Sequence, residues 1–211
     1  PVADIRIDGA GKKVTRSDNC RVSDLSISSD NLTFTYEAKS LPYPIDTSYY
    51  DNEKHTQADA LSVIPFMDEM NYEGLSVSGL SDGYYGLTIG GEFIGRFTAR
   101  ELERGINMAL LQNTPQYKQA MKIRQMNEER WLKERKMREF YWVEYNLMRK
   151  TGMLWACNEA AVDTLRKYRP HDIFLQWNGA LWLQYMHKGI REDCVNEQQD
   201  LVNQIYEQNK P

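Results

Sequence analysis

The sequence predicts an α+β chain: a small antiparallel β-sandwich-like N-terminal half followed by a long-helix hairpin or bundle. Three observations carry this. Alternation with period 2 dominates to about residue 97, helical spacing takes over from residue 98, and one unbroken helical pattern runs from about 115 to 150. The expected division is therefore a β-rich domain over 1–97 and a helical domain over 98–211.

The strands follow in order. "VADIRI" (Val2 to Ile7) and "RVSDLSI" (Arg21 to Ile27) alternate, and "NLTFTYEA" places Leu32, Phe34 and Tyr36 on one face. "LSVSGL" (Leu75 to Leu80) leads into a Ser81-Asp82-Gly83 turn. "YYGLTIGGEFIGRF" is the clearest hairpin, with Gly90-Gly91 as a two-residue loop able to supply positive φ at both positions. Between the strands lies an excursion from Ser40 to Asn71, punctuated by Pro42, Pro44 and Pro65. Loops of this length within compact domains are commonly functional. Tyr43, Tyr49, Tyr50 and His55 fall here, either as a stacking surface for a sugar or partner or as packing of the loop onto its own sheet.

The helical half opens on a capping box. Thr98 can accept the N–H of Glu101 while the Glu101 carboxylate reaches back. Leu102, Ile106, Ala109 and Leu110 then keep helical spacing, which puts Gly105 in mid-helix at a cost of about 1 kcal/mol and marks it as a close-approach site. A second start follows at Thr114-Pro115, an N-cap with proline at the first helical position. Thr98, Glu101, Gly105, Thr114 and Pro115 together read as a structural elbow. Beyond it, roughly 35 residues at 1.5 Å each span about 52 Å. Met121, Met126, Trp131, Leu132, Met137, Phe140, Val143 and Leu147 form its expected packed stripe, and Glu129–Lys133 and Glu134–Arg138 pair at i, i+4 on the solvated face. Thr151-Gly152 stops the helix. Met153 to Pro170 and Gly179 to about Glu207 are the further helical segments, with Trp155, Trp177 and Trp182 as packing anchors.

Composition narrows the function. With 41% apolar and 27% charged residues in 211, the chain is globular. A net charge of −4 argues against a general nucleic-acid binder. No run approaches the ~20 apolar residues of a membrane span. The first residues read as a strand without an initiator Met, so an upstream part, removed or on a separate chain, is expected. Cys20, Cys157 and Cys194 form no CxxC pair and read as incidental thiols, with a Cys157–Cys194 bridge as the alternative. His55, His171 and His187 have no metal-type partner at i+3 or i+4, and no GxSxG occurs. No catalytic, cofactor-binding or metal-binding residue is assigned, and no cofactor is expected.

The ordered string from "LTFTYEAKSLPYP" through "LSVSGLSDGYYGLTIGGEFIGRFTARELERGINMALLQNTPQYKQA" to "NEERW" resembles the C-terminal region of bacterial SGNH (GDSL-type) hydrolases. The resemblance is strongest from Leu75 to Ala120 and implies a part that follows a catalytic flavodoxin-like domain. Of the family's catalytic blocks none is present: Asp51 to His55 has one residue too many for Asp-x-x-His, and Tyr168 and Gln184 stand three before His171 and His187. The implied function is an accessory part of a secreted or periplasmic esterase, such as a carbohydrate deacetylase, that packs on or gates an upstream catalytic domain. The alternatives are a glycan- or protein-binding module and a homo-oligomerisation arm built on the long helix.

Overall fold

A computed structural model describes residues 1–29, 31–45 and 54–210. The strands are β1 (Ala3–Asp8), β2 (Lys13–Asp18), β3 (Cys20–Ile27), β4 (Leu32–Ala38), β5 (Glu73–Ser78), β6 (Tyr84–Ile89), β7 (Glu92–Thr98) and the two-residue β8 (Ile106–Asn107). The helices are a single turn α1 (Phe66–Glu69), then α2 (Ala99–Arg104), α3 (Pro115–Val143), α4 (Glu159–Tyr168), α5 (Ile173–Tyr185) and α6 (Lys188–Gln208). The chain is thus a mixed α+β protein, with small sheets first and long helices after.

The chain divides into two compact units, Pro1–Arg124 with the last residues from Gln208, and Gln125–Glu207. Helical periodicity begins at residue 98, but α2, β8 and the first turns of α3 belong to the β-rich unit. The change of period and the change of packing therefore fall at different places.

The first unit is built on a four-stranded sheet, β2-β1-β5-β8, with two separate hairpins, β3–β4 and β6–β7. One pairing departs from the antiparallel expectation. β1 and β5 run parallel, with Ile5 opposite Leu75 and Ile7 opposite Val77. An alternating pattern carries no strand direction, and the long connection between them makes the parallel pairing possible. Ala3, Ile5, Ile7, Leu75 and Val77 bury into one core, against which Val22, Phe34 and Tyr36 from one hairpin and Tyr85, Leu87 and Phe97 from the other pack. The Gly90-Gly91 turn forms as read, with φ of 60° and 84°. β2 had no sequence signal: it is an exposed edge strand with no inward apolar face.

The second unit is a helical assembly around Phe140, Val143, Met148, Leu165, Leu175 and Trp182. Its buried stripe on α3 begins at Met137. Trp131 and Leu132, expected in that stripe, are 45% and 50% exposed. Ion pairs Glu129–Lys133 (3.7 Å) and Glu134–Arg138 (3.7 Å) form on the solvated face as expected. Two segment boundaries shift. Asp172 caps α5 by accepting the N–H groups of Phe174 and Leu175, so this helix begins before Gly179 and ends at Tyr185, and α6 is separate. Of the three tryptophan anchors only Trp182 is in the core, while Trp155 and Trp177 are 45% and 68% exposed.

Candidate functional site

The Ser40–Asn71 excursion is fastened at its base by two asparagines. The Asn71 carboxamide brackets Tyr43: its oxygen accepts the Tyr43 N–H at 2.7 Å and its nitrogen donates to the Tyr43 carbonyl at 2.8 Å. Asn107 does the same work on the other side. Its Nδ2 donates to the carbonyls of Met67 (2.9 Å) and Asn71 (3.2 Å), and its Oδ1 accepts from Glu73 (2.9 Å) and Ala109 (3.1 Å). The Tyr117 hydroxyl, from the first turn of α3, donates to the Ile45 carbonyl at 2.9 Å. A carboxamide with its donors and acceptor engaged fixes a loop far better than a surface contact does.

This anchoring decides where the four sequence candidates stand. Tyr43 is half-exposed, with its ring edge-on to Phe66 at 5.7 Å. His55 is exposed beside the 3-10 turn Gln57–Ser62. Tyr49 and Tyr50 lie outside the described residues. Asn71 and Asn107 escaped sequence reasoning because no local pattern distinguishes a stapling asparagine from a turn asparagine.

Glu73 lies directly beside this network and is fully buried. Its Oε1 accepts the Tyr36 hydroxyl at 2.8 Å and Gln116 Nε2 at 3.1 Å, while Oε2 has no hydrogen-bond partner among the described residues. Burial pushes this carboxyl above the usual carboxylate range, against the two hydrogen bonds, which favour the charged form. Burial, with Glu73 beside it, lifts the Tyr36 hydroxyl as well.

At the residues read as an elbow, the Thr98–Glu101 capping box forms and Gly105 differs from expectation. Glu101 N–H donates to Thr98 Oγ1 at 3.2 Å, and the Glu101 carboxylate accepts the Thr98 N–H at 2.7 Å, which holds that carboxyl below its usual range. Gly105 is not in mid-helix. It is the C-cap of α2, with φ +94°, and the next two residues pair as β8 with Gly74 and Leu75. The positive φ and strand pairing stop the helix despite the continuing apolar period, because only glycine takes that conformation cheaply. Close approach is nonetheless present: a Cβ here would stand 3.3 Å from Tyr72 Oη. Thr114 is buried, accepting from Tyr117 N–H at 3.3 Å and donating to the Leu111 carbonyl at 3.0 Å, and Pro115 opens α3.

In the second unit α3 runs into a π-turn, Glu144–Met148, closed by Arg149 N–H on the Glu144 carbonyl at 2.8 Å. Such turns recur at functional positions. Buried Glu144 accepts Trp182 Nε1–H at 2.8 Å and the Trp155 N–H at 2.9 Å. Trp155 has φ +62°, a strained conformation for a bulky residue. Its half-exposed ring meets Tyr141 at 5.9 Å and Tyr145 at 5.8 Å, both nearly perpendicular. With Met137, Lys188 and Asn196, the Trp155 and Tyr141 rings line an open cleft of about 600 Å³ whose wall also carries Arg191, Glu192 and Asp193. A smaller cleft of about 360 Å³ has His171 and Asp172 on its wall beside Trp142 and Tyr168.

Among the described residues all three cysteines are free thiols, so the Cys157–Cys194 alternative is not formed. No group of three His, Cys, Asp or Glu there could hold a metal ion, and no described helix is long and apolar enough to cross a membrane. What the described residues present is anchored loop and aromatic surface.

A search of curated proteins finds no significant match. Residues 121–210 match a family model described as the diltiazem deacetylase C-terminal helical domain. The whole chain is similar to the structure of a gut microbial diltiazem-metabolizing enzyme, at 35% identity with a TM-score of 0.92. That similarity covers 100% of this chain and 48% of the enzyme, so the chain spans about half the enzyme's length. In sequence and fold the chain is thus similar to about half of a diltiazem-metabolizing enzyme, and residues 121–210 match the diltiazem deacetylase C-terminal helical domain.

Proposed function

We propose that this chain is the C-terminal accessory part of a deacetylase or esterase of the SGNH type, with its nucleophile and base in a catalytic part that precedes it. The observation supporting this reading is the full-length similarity to under half of a diltiazem-metabolizing enzyme. Removal of an acetyl group from an ester is the chemistry implied by the deacetylase name of the helical domain. Acyl transfer requires a nucleophile, a base and oxyanion donors in mutual reach. In this reading the β-rich unit supports the catalytic part, the stapled excursion with Tyr43 forms a rim near the substrate, and the helical unit packs on or gates the cleft. A secreted or periplasmic location goes with the same proposal.

The test is hydrolysis of a chromogenic acetyl ester by this chain alone and by the protein extended with its upstream coding sequence. The expected outcome is turnover only by the extended protein, abolished by replacing a serine of an upstream Gly-Asp-Ser block. Turnover by this chain alone, or an upstream sequence without such a block, overturns the proposal.

One observation favours a second reading, a binding module. Trp155 is held half-exposed by a strained backbone and a buried carboxylate, over an open cleft. Titration calorimetry of this chain with oligosaccharides, comparing wild type with Trp155→Ala, decides it. Saturable heat lost in the variant supports the module, and no heat in either sets it aside.

A further inference from the structure

Cys157 and His187 are 30 residues apart in sequence, yet the fold brings Cys157 Sγ to 3.3 Å from His187 Nδ1. Both side chains are exposed. Each is fixed by its own segment. On the cysteine side, Trp155 N–H is held by Glu144, Ala156 N–H by the Met153 carbonyl (2.9 Å), and Asn158 caps α4 through Ala161 N–H (3.0 Å). On the histidine side, Arg191 Nη1 donates to the carbonyls of Tyr185 (2.6 Å) and Met186 (2.7 Å), pinning the turn between α5 and α6. Sequence neighbours of both residues reach the larger cleft. Trp155, two residues before Cys157, and Lys188, the residue after His187, are both on its wall. A nucleophile and a base thus come together from two parts of the helical unit, with neighbours of both on the wall of one cleft.

We propose that Cys157 is a reactive thiol that exchanges with low-molecular-weight peptidic disulfides, with His187 as its base. An ordinary thiol is mostly protonated at neutral pH, and only the thiolate attacks. His187 Nδ1 removes the Sγ proton. The thiolate attacks one sulfur of the incoming disulfide, a new S–S bond to Cys157 forms, and the original S–S bond breaks. The departing thiolate takes the proton back from the imidazolium. Cys157 is oxidised to a mixed disulfide, and the other half of the reagent is reduced to a free thiol. Acyl transfer would need oxyanion donors besides, whereas exchange needs only a thiolate and a thiolate leaving group. On the cleft wall the apolar face of Trp155 suits the short aliphatic arms of such a reagent, and Lys188, which Glu192 pairs at 3.1 Å, is the cation nearest in sequence to His187 for its carboxylates.

The experiment treats the full chain with glutathione disulfide and follows adduct formation by intact-mass and peptide spectrometry across pH. Wild type is expected to gain one glutathionyl group, on Cys157, reversed by dithiothreitol. Cys20 and Cys194 are buried and stay unmodified. His187→Gln is expected to slow the reaction at neutral pH by about tenfold or more, and to converge on the wild-type rate at alkaline pH, where hydroxide replaces the imidazole. That pH-dependent convergence is a readout that a merely structural histidine would not produce, and His187→Asn with an unchanged circular dichroism spectrum checks it in a second folded variant. Equal rates at neutral pH, an adduct on another cysteine, or no adduct overturns the proposal. None of these outcomes depends on an upstream esterase.

Discussion

Among the described residues each unit of the molecule buries one glutamate, and the two are treated differently. Glu144, in the helical unit, receives one hydrogen bond on each oxygen, from Trp182 and from the Trp155 backbone. Glu73, in the β-rich unit, receives two on Oε1 and none on Oε2 among the described residues. A buried carboxylate is tolerated when its lone pairs are met and penalised when they are not. Glu144 therefore acts as a centre on which the π-turn, α5 and the Trp155 turn converge. Glu73 ties β4, β5 and α3 together at the cost of a carboxyl that resists ionisation. Around it, the Asn71 and Asn107 staples add polar positional control to the apolar core of that unit.

The largest test of that contrast is Glu144→Ala, which strands the buried Trp182 Nε1–H and the part-buried Trp155 N–H and leaves a cavity. It is expected to destabilise the helical unit by about 3 kcal/mol or more. All five tryptophans, Trp131, Trp142, Trp155, Trp177 and Trp182, lie in this unit, so urea denaturation followed by tryptophan fluorescence reports it selectively. An unchanged midpoint would remove Glu144 from the centre of the unit.

Gly105→Val acts on the other unit. A β-branched residue at φ +94°, against Tyr72 Oη, is expected to cost about 1–3 kcal/mol. The loss should appear in the thermal melt of the β-rich unit followed by circular dichroism, while the tryptophan midpoint stays in place. A shift in the tryptophan midpoint alone would refute the assignment of Gly105 to the β-rich core. Smaller again, Thr98→Ala should cost about 1 kcal/mol through loss of the N-cap, and a neutral melt would mean that the capping box contributes nothing.

The last prediction is a slope and not an offset. The Glu73 carboxyl lies above its unfolded value, so the stability it contributes is fully present below the ordinary carboxylate range and is lost as pH rises through the raised folded value. Wild type should therefore lose more stability than Glu73→Gln over that rise. Parallel pH profiles for the two proteins would show that Glu73 is not the group responsible.

Much of the backbone was legible because its signals are local. Alternation marked β1, β3 and β4, Gly90-Gly91 marked the β6–β7 hairpin, Thr98 with Glu101 marked the start of α2, and Thr114-Pro115 marked α3. Where the signal was absent or ambiguous, the reading failed. The exposed strand β2 has no apolar face to betray it. The period through Leu102, Ile106 and Leu110 continued past the real helix end, where Ile106 is partly buried in β8, the next turn buries Met108 and Ala109, and Leu110 is exposed. Trp131 and Leu132 fit a helical stripe by spacing but face away from the core.

By itself, the sequence determined the α+β class, most strands, the glycine hairpin, the capping box and the long helix, since each rests on contacts within a few residues. Only the tertiary structure decided the parallel pairing of β1 with β5, the cap at Gly105, the asparagine staples, the contrast between Glu73 and Glu144, and the meeting of Cys157 with His187. These depend on groups tens of residues apart, and whether a polar side chain is satisfied or a thiol faces a base is set by the packing that brings such segments together.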